Sequence, residues 1–287
     1  MFRSKAFVLA GTLVVLLALA ASGCGGSSKK SSESTTTTAG NSTSITAPAS
    51  IKSAGQLVFC SDITYPPEEF YEGSKPVGSD IEIGAEIARR MGVKAQFDNT
   101  GFDGIIPALL GKKCDAIISG MNDTPERRKQ VTFVDYIKVG QSFMVKKGNP
   151  EAISGVASLA GKSASVEVGT TNKDYLDEQS KKLTSQGKKA IDVVTFPKDT
   201  DAANALKTGK VDAYFGDAPV VAYYIEKDPS SFTFGGSPIN PIDVGIAIRK
   251  SDTELEAAVK QAVDDMYADG SMAKILKKWQ LSAAALK

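Results

Sequence analysis

The sequence predicts an α/β fold built from two similar lobes, each with parallel strands and crossover helices. Strand-like and helix-like segments alternate along the globular part of the chain, which is typical of β-α-β units. The pattern Ala-Leu-x-x-x-Lys-x-Asp-Ala occurs at 108–116 and again at 205–213, an offset of 97 residues, as expected of a repeated unit. A chance recurrence of ordinary helix-turn-strand chemistry is the alternative. The length of 287 residues also suits two lobes, at about 150 residues per domain.

The first 50 residues have the character of an export segment followed by a tether. Arg3 and Lys5 precede an uncharged apolar stretch, and small residues lead to Cys24, which resembles a bacterial lipoprotein signal. We therefore expect a signal peptide at 1–23, cleavage before Cys24 and a lipid on its thiol; a retained membrane anchor is the alternative. Residues 25–50 contain almost no large apolar side chain, which predicts that 24–50 is a flexible tether. The expected location is the extracytoplasmic face of the cell membrane.

The first lobe is predicted from a β-α-β-α-β run. The segment 79–92 suits a helix because Ile81, Ala85 and Ala88 share one face and Gly92 is a stop signal. We predict strands at 57–62, 93–98 and 114–120, and helices at 79–92 and 102–113.

The second lobe repeats this order from residue 161 onward. We predict strands at 162–169, 192–196 and 211–217, and helices at 170–183 and 201–210. Two further helices are expected within 251–281, separated by Asp269 and Gly270, with Trp279 packed rather than functional. If the repeat is structural, the strand ends at Ser119-Gly120 and Gly216-Asp217 are equivalent, and a ligand between the lobes would meet both.

Composition excludes several classes of function. Lys plus Arg is 34 and Asp plus Glu is 33, so the net charge of +1 does not indicate a nucleic-acid partner. The chain has no histidine, which rules out Ser-His and Cys-His nucleophile pairs and the His ligands of most zinc sites. Cys24, Cys60 and Cys114 are too few for a four-cysteine metal site. A disulfide between Cys60 and Cys114 and two buried free thiols both remain open. We expect no metal, no cofactor and no catalytic residues.

Five segments carry a resemblance to the polar amino-acid-binding proteins of ABC importers: SDITYPPEEF (61–70), GFDGIIPALL (101–110), CDAIISGMNDTPERRK (114–129), GTT (169–171) and DAYFGD (212–217). The resemblance implies a type II periplasmic-binding-protein fold, in which two Rossmann-like α/β lobes joined by a two-strand hinge close on a ligand in the cleft. The crossings would lie near 142–147 and 244–250. Lobe 1 would be 51–143 plus 246–287, and lobe 2 would be 144–245. The implied partners are a free amino acid and the permease subunits of an ABC importer, with the protein itself a monomer.

The same resemblance implies how an amino acid would be held at its α-carbon. Arg127 would clamp the carboxylate with a forked pair of hydrogen bonds, which lysine could not reproduce; without the resemblance it would be read as a surface arginine. The backbone N–H groups at Thr170 and Thr171, at the start of a helix, would bind the same carboxylate. Asp217 would accept the α-ammonium, a role compatible with capping the following helix.

The walls of the pocket follow from the resemblance as well. Tyr65 and Phe102 would stack on the ligand side chain, although a core position is the usual fate of a phenylalanine. Ser119 and the Gly120 amide would add hydrogen bonds. Asn122 stands where the family commonly has Thr or Ser.

Three acids could border the side-chain end of the pocket: Asp62, Glu68 and Glu167. Because buried unpaired carboxylates are costly, this pattern favours a basic ligand, arginine or lysine. Glutamine or another neutral polar amino acid is the alternative, and solvent-facing positions for Glu68 and Glu167 would remove the argument.

Two other function classes stay open: an exported cyclohexadienyl dehydratase-like enzyme, with Glu167 or Asp217 as general acid or base, and a ligand sensor. We expect a binding protein and not an enzyme.

Overall fold

The computed structural model describes residues 45–286. The predicted signal peptide, the lipidation at Cys24 and most of the predicted tether lie outside the described residues. The strands are β1 (Gln56–Ser61), β2 (Phe70–Glu72), β3 (Lys75–Val77), β4 (Lys94–Asn99), β5 (Ala116–Ile117), β6 (Val131–Lys146), β7 (Ser163–Glu167), β8 (Asp192–Phe196), β9 (Ala213–Asp217), β10 (Phe232–Phe234) and β11 (Ile239–Arg249).

Nine α-helices accompany these strands within residues 45–286. They are α1 (Ala49–Ala54), α2 (Ser79–Arg90), α3 (Ile105–Leu110), α4 (Pro125–Arg128), α5 (Thr171–Ser185), α6 (Asp199–Lys207), α7 (Ala218–Lys227), α8 (Thr253–Ala268) and α9 (Ser271–Lys278). In this part of the chain, no helix combines the length and the apolar character that crossing a bilayer requires.

The main sheet has the strand order β4-β1-β5-β11-β6-β9-β7-β8, with β10 added on β6. On one side β1 pairs in parallel with β4 and β5, and on the other β7 pairs in parallel with β8 and β9. The long antiparallel strands β6 and β11 join the two halves. Mixed α/β lobes with parallel strands confirm the predicted fold class.

The sequence repeat is structural. In both copies the third residue after the helix closes the turn in the same way: the N–H of Lys113 donates to Ala108 O at 3.0 Å and that of Lys210 to Ala205 O at 2.9 Å. The repeated aspartates also make equivalent hydrogen bonds, since Asp115 Oδ2 accepts from the N–H of Val58 and Asp212 Oδ2 accepts from the N–H of Ser163. The units β1-α3-β5 and β7-α6-β9 therefore share these local hydrogen bonds and the parallel pairing of their outer strands.

The two long strands change partners between the lobes. Residues 131–139 of β6 pair with β11, whereas residues 141–145 pair with β9. The change falls at Gln141, just before the predicted crossing at 142–147. On β11, Val244–Arg249 already pair with the first-lobe part of β6, so that crossing precedes the predicted segment 244–250. Asn240, with φ of 48°, and the buried Gln141 meet at this hinge, where the Asn240 side chain donates to Gln141 Oε1 at 3.1 Å.

Each lobe buries apolar side chains on both faces of its sheet. Consecutive residues of β1 face opposite sides of the first-lobe sheet: Phe59 packs under α2 and α8, and Cys60 packs under α3.

The folded body begins further toward the N-terminus than predicted. The tether was expected to reach residue 50, but Ile45 and Ala47 are buried in the core beneath α2 and α8, and α1 begins at Ala49.

Two predicted elements are shorter than expected. The strand predicted over 114–120 is regular only at Ala116–Ile117, because the chain turns away at Gly120, with φ of 48°, to form the cleft wall. The helix predicted over 102–113 is a 3₁₀ turn followed by α3, which ends before Gly111. The helix expected after Asp217 is α7, for which no bounds were predicted. The short β2–β3 hairpin was not predicted.

Cys60 and Cys114 form a disulfide, with their Cα atoms 5.6 Å apart. This resolves the alternative left open by the sequence. The bridge ties the end of β1 to the turn before β5, and therefore holds Asp62 and Ser119 on neighbouring strand ends.

Candidate functional site

The carboxyl ends of the parallel strands of both lobes face a common cleft, as expected for ligand sites in α/β sheets. Within the described residues, a cavity in this cleft is lined by Asp62, Tyr65, Glu69, Phe102, Gly120, Asn122, Glu167, Thr170 and Asn172. Its volume is about 10 Å³, which is room for one water molecule. The structure is therefore a closed form, and an amino acid could enter only after the lobes separate.

Arg127 bridges the two lobes across this cleft. Its Nη1 donates to the carbonyl of Asn122 at 2.8 Å and its Nη2 to the carbonyl of Gly169 at 3.1 Å. The guanidinium lies over the Phe102 ring, 5.3 Å from the centroid. Thr124 caps the short helix α4 and accepts from the Arg127 N–H, which fixes the base of this side chain. Burial lowers the pKa of Arg127 from its ordinary value.

The start of α5 supplies the opposite side of the cleft. Thr170 is its N-cap and accepts from the N–H of Lys173. Thr171 Oγ1 donates to Asn122 Oδ1 at 2.6 Å, joining the second lobe to the first. Position 169 requires a glycine, because its φ is 79° and a Cβ there would lie 3.0 Å from the Cα of Asp103 across the cleft.

Asp217 lies at the end of β9, 2% exposed, and is the residue before α7. Its carboxylate oxygens accept from the side-chain amides of Asn172 at 3.3 Å and Asn122 at 3.4 Å. Burial raises its pKa to about 6, although these hydrogen bonds and Arg127 oppose the shift. The position suits a receptor for an ammonium group.

Tyr65 crosses from the first lobe into the second. Its ring packs in the core beside Tyr214 and Val220, and its hydroxyl accepts from the N–H of Asp217 at 3.3 Å. Gly120 must lack a side chain here, because a Cβ would lie 2.9 Å from the Tyr65 ring. In this closed form the Gly120 amide donates to Asp80 Oδ2 at 2.8 Å rather than pointing a free N–H into the cleft.

A buried acidic network supports the strand ends of the first lobe. Ser119 accepts from the Asp62 N–H and donates to Glu69 Oε1 at 2.9 Å. The Asp62 carboxylate accepts from Thr64 Oγ1 and from the Phe102 N–H. Burial raises the pKa of Asp62. Glu69 lines the cavity but was not predicted, because the sequence gives no reason to prefer it over its acidic neighbour Glu68.

The acids and bases of the cleft are strongly unequal in number. Every acidic side chain that is buried in residues 45–286 belongs to this region: Asp62, Glu68, Glu69, Asp80, Glu167, Asp199 and Asp217. The one buried base of these residues, Arg90, pairs elsewhere with Glu86 and Asp269. Glu68 Oε2, Glu69 Oε2 and Glu167 Oε1 have no hydrogen-bond partner. Glu68 and Glu167 are thus buried, not solvent-facing.

Three further residues of the site were not predicted: Asn172, Asp80 and Asp199. Asn172 follows the GTT segment by one residue and Asp199 follows β8 by three, so the rule that ligand sites lie beyond strand ends could have found both. Asp80 is visible only in the fold, because it lies at the start of α2 and reaches Gly120 and the Tyr136 hydroxyl. Residues 45–286 contain no cluster of three or more His, Cys, Asp or Glu side chains that could hold a metal ion.

A second contact between the lobes lies away from the cleft. Phe70 of the first lobe packs on Tyr223 of α7, with ring centroids 5.5 Å apart, and on Trp279 at 5.8 Å. Gln280 Nε2 donates to Glu226 Oε1 at 3.1 Å. The Phe70–Tyr223 and Gln280–Glu226 contacts join the two lobes and form only when the lobes are closed, whereas Phe70 and Trp279 both belong to the first lobe.

Removing this contact is expected to weaken ligand binding without touching the cleft. We expect Tyr223→Ala to lower amino-acid affinity by about 2- to 10-fold, because an aromatic pair contributes roughly 0.5–1.5 kcal/mol beyond its area and only the closed form gains it. Calorimetry measures the affinity, and Trp279 fluorescence reports the closure. The matched control is Tyr71→Ala on the neighbouring hairpin, since Tyr71 is 44% exposed. Equal affinities for the two variants would contradict the account.

The buried acids also predict an unusual dependence of stability on pH. Burial raises the pKa of Asp217 to about 6 and that of Asp199 to about 7. An acid whose pKa is higher in the folded chain stabilises the fold below its unfolded pKa, about 3.9, and loses that contribution as pH rises through the folded value. We expect the Tm of the unliganded protein to fall between about pH 4 and pH 7. Scanning calorimetry checks this, and Asp217→Asn should flatten the profile; a Tm that rises over this range would contradict it.

Comparison with known proteins agrees with this architecture. The model of the bacterial extracellular solute-binding proteins, family 3, matches residues 57–282. The ABC transporter arginine-binding protein 1 of Escherichia coli K12 is 30% identical over 232 residues, covering 79% of this chain and 91% of that protein. The histidine-binding periplasmic protein of Salmonella typhimurium LT2 is 30% identical over 226 residues, covering 76% and 85%.

Among solved structures, an ancestral arginine-binding protein bound to arginine matches with a TM-score of 0.73 and 36% identity, covering 78% of this chain and 98% of that one. The family match spans the whole two-lobed body, from β1 to the end of the C-terminal helices. The chain therefore belongs to the bacterial extracellular solute-binding proteins, family 3.

Proposed function

We propose that this protein captures a basic amino acid, arginine or lysine, by closure of its two lobes, and delivers it to the permease subunits of an ABC importer. The observation that carries the proposal is the group of seven acidic side chains buried around the cleft. Burying that many carboxylates is costly unless a cation offsets their charge. The relatives named for arginine and histidine support the same class of ligand.

The ligand's α-carbon groups would use the residues that bridge the lobes. The carboxylate would replace the two carbonyls as the partner of Arg127 and would accept from the N–H groups at Thr170 and Thr171. The α-ammonium would lie at Asp217, and Asn122 would orient both. The ligand would thus exchange the direct Arg127–Gly169 bond of the closed cleft for its own contacts to both lobes, so ligand binding and closure would be coupled.

The ligand's side chain would extend toward the acids of both lobes. Asp62 and Glu167 line the cavity from opposite sides, and Glu69 lies beside Ser119. Phe102 and Tyr65 would flank the aliphatic stem. No base is among the residues that line the cavity, and Arg127 is already assigned to the α-carboxylate; an acidic amino acid is therefore disfavoured.

A thermal-shift screen against the twenty amino acids tests the proposal. A ligand that binds only the folded state stabilises it by about 2.7 kcal/mol at a concentration 100 times Kd. We expect arginine or lysine to raise the Tm and glutamate to have no effect. A shift with glutamine and none with the cations would overturn the basic ligand and favour a neutral amino acid.

The proposed role is binding without chemical conversion. A binding role accounts for the presence of Glu167 and Asp217 in the cleft. The chain has no histidine to act as a general base. Incubation with arginine and with cyclohexadienyl acids, followed by product analysis, should return the substrates unchanged. Turnover that requires Glu167 would favour the dehydratase-like alternative. A role in sensing would be indicated if the liganded protein activates a receptor and no importer.

We further propose that the mature protein is a monomer held at the extracytoplasmic membrane surface by a lipid on Cys24. The small residues before Cys24 and the polar segment 25–50 support a lipid and a spacer. Wild-type protein should partition into detergent and Cys24→Ser should not. Release of both into the aqueous phase would overturn the anchor.

A further inference from the structure

Gln141 at the hinge does not line the cleft cavity, but its side chain contacts Asn172, which does. We propose that Gln141 is a positioning residue: it holds the side-chain amide of Asn172 in the orientation that donates to Asp217, and so fixes the receptor for the α-ammonium of the ligand. The inference rests on the proposed function, because it concerns how the same site recognises a free amino acid.

The backbone of Gln141 joins the hinge to the strand that ends at Asp217. Gln141 pairs with Asp217 of β9 on one side and with Ile239 of β11 on the other, at the point where β6 changes partners between the lobes. Gln141 is only 3% exposed. A polar side chain buried at this place is expected to have protein partners for its donor and acceptor groups.

Both ends of the Gln141 amide have such partners. Its Nε2 donates to Asn172 Oδ1 at 2.8 Å, and its Oε1 accepts from Asn240 Nδ2 at 3.1 Å. Asn172, which is also buried, in turn donates from Nδ2 to Asp217 Oδ1 at 3.3 Å. The three amides therefore form a chain of hydrogen bonds that runs from the hinge to the carboxylate.

The carboxylate sets the direction of this chain. An ionised carboxylate only accepts hydrogen bonds, so the Asn172 amide must present its NH₂ group to Asp217 and its oxygen to Gln141. Gln141 can satisfy that oxygen only with its own NH₂ group, which leaves the Gln141 oxygen for Asn240. Without Gln141, the buried Asn172 oxygen loses this donor, and the amide is no longer held in the direction that serves Asp217.

A second, longer branch leads from Gln141 to the other oxygen of Asp217. Gln141 Nε2 lies 3.5 Å from Thr171 Oγ1, which donates to Asn122 Oδ1 at 2.6 Å, and Asn122 Nδ2 lies 3.4 Å from Asp217 Oδ2. Asn122 belongs to the first lobe, so this branch forms only on closure. The Asn172 branch uses only β6, α5 and β9, and β6 pairs with β9 at this point; it therefore does not depend on closure and can prepare Asp217 before the ligand arrives.

Two ligands that differ only in the α-ammonium separate positioning from a general structural role. They are arginine and δ-guanidinovalerate, which is arginine without its α-amino group. In calorimetry at about pH 8, where Asp217 with its pKa of about 6 is ionised, wild type should bind arginine more tightly. Gln141→Met keeps the length of the side chain but removes its hydrogen bonds, and should lower the ratio of the two affinities by about 3- to 10-fold. Gln141→Ala makes the same test with a smaller side chain.

Two further variants make the test specific. Asn240→Gly removes the donor at the hinge end, and glycine accepts the φ of 48° found there. Because Asn240 is exposed, water can replace this donor, and the ratio should stay within about 2-fold of wild type. In Asn172→Ala protein the amide to be positioned is absent, so adding Gln141→Met should change the ratio by less than about 2-fold.

The outcomes distinguish this inference from the proposed function. Arginine binding with an unchanged ratio in both Gln141 variants, or with an equal loss of affinity for the two ligands, would overturn the inference and leave the proposed function standing. A change of ratio that persists in Asn172→Ala protein, or equal affinity of wild type for the two ligands, would overturn it as well. Wild type that binds glutamine and not arginine would overturn the basic ligand; glutamine and glutaramate, which is glutamine without its α-amino group, would then decide the role of Gln141 in the same way.

Discussion

Replacing Arg127 by alanine is expected to weaken amino-acid binding by at least about 30-fold, since losing one partner of a buried charged pair costs roughly 2–5 kcal/mol. Arg127 is the residue whose two nitrogens reach both lobes, through the Asn122 and Gly169 carbonyls. In the proposed binding mode its loss would leave the ligand carboxylate without its counter-charge, and it would remove a contact of the closed form. Lysine should not restore binding, because a single ammonium cannot make the forked pair. Calorimetry measures both variants.

The adjacent arginine is the matched control. Arg128 lies on the surface, where it pairs with Asp123, and its side chain is 46% exposed. Arg128→Ala should keep wild-type affinity, because exposed ion pairs contribute little. If the two variants bound with similar affinity, the carboxylate clamp would be elsewhere.

Removing the disulfide is expected to produce the largest loss of stability. Cys60 and Cys114 are 54 residues apart, and closing a loop of that length stabilises a protein by about 4 kcal/mol in the chain-entropy model. The double variant Cys60→Ala, Cys114→Ala should therefore unfold roughly 8–16 °C lower, at about 2–4 °C per kcal/mol for a protein of this size. Scanning calorimetry measures the change. Reduced wild type should behave like the variant, and a Tm within about 2 °C of oxidised wild type would contradict the expectation.

The parts of the fold that could be predicted are the elements whose pattern of apolar and stop residues lies within one short stretch of sequence. Strand β8 and helices α2 and α5 follow hydrophobic periodicity and stop signals. The repeat around Asp115 and Asp212 was visible in the sequence because both aspartates make the same kind of hydrogen bond, each accepting from a backbone N–H of the neighbouring strand. A helix after Asp217 was expected only as the one that Asp217 would cap, and its bounds were not predicted; it is α7.

The site was predictable to a different degree. Cavity-lining residues such as Asp62, Glu167 and Thr170 followed from the resemblance and from strand ends. The position of Tyr65 in the second lobe's core could not be predicted, since it depends on lobe closure. Asp80 and Asp199 accept from tyrosine hydroxyls on other strands. The spacing of residues in the sequence does not predict these hydrogen bonds.

The central claim is that the buried acids select a cation, and a comparison of arginine with citrulline tests it most directly. Citrulline keeps the shape of arginine but replaces the guanidinium by a neutral urea group, so shape and α-carbon contacts are constant. Calorimetry at about pH 8, above the pKa of about 7 at Asp199, should give an affinity for arginine at least about 30-fold higher, for a charged pair worth roughly 2 kcal/mol or more. Equal binding of the two, or tighter binding of citrulline, would show that the acids do not face the ligand and would contradict the account.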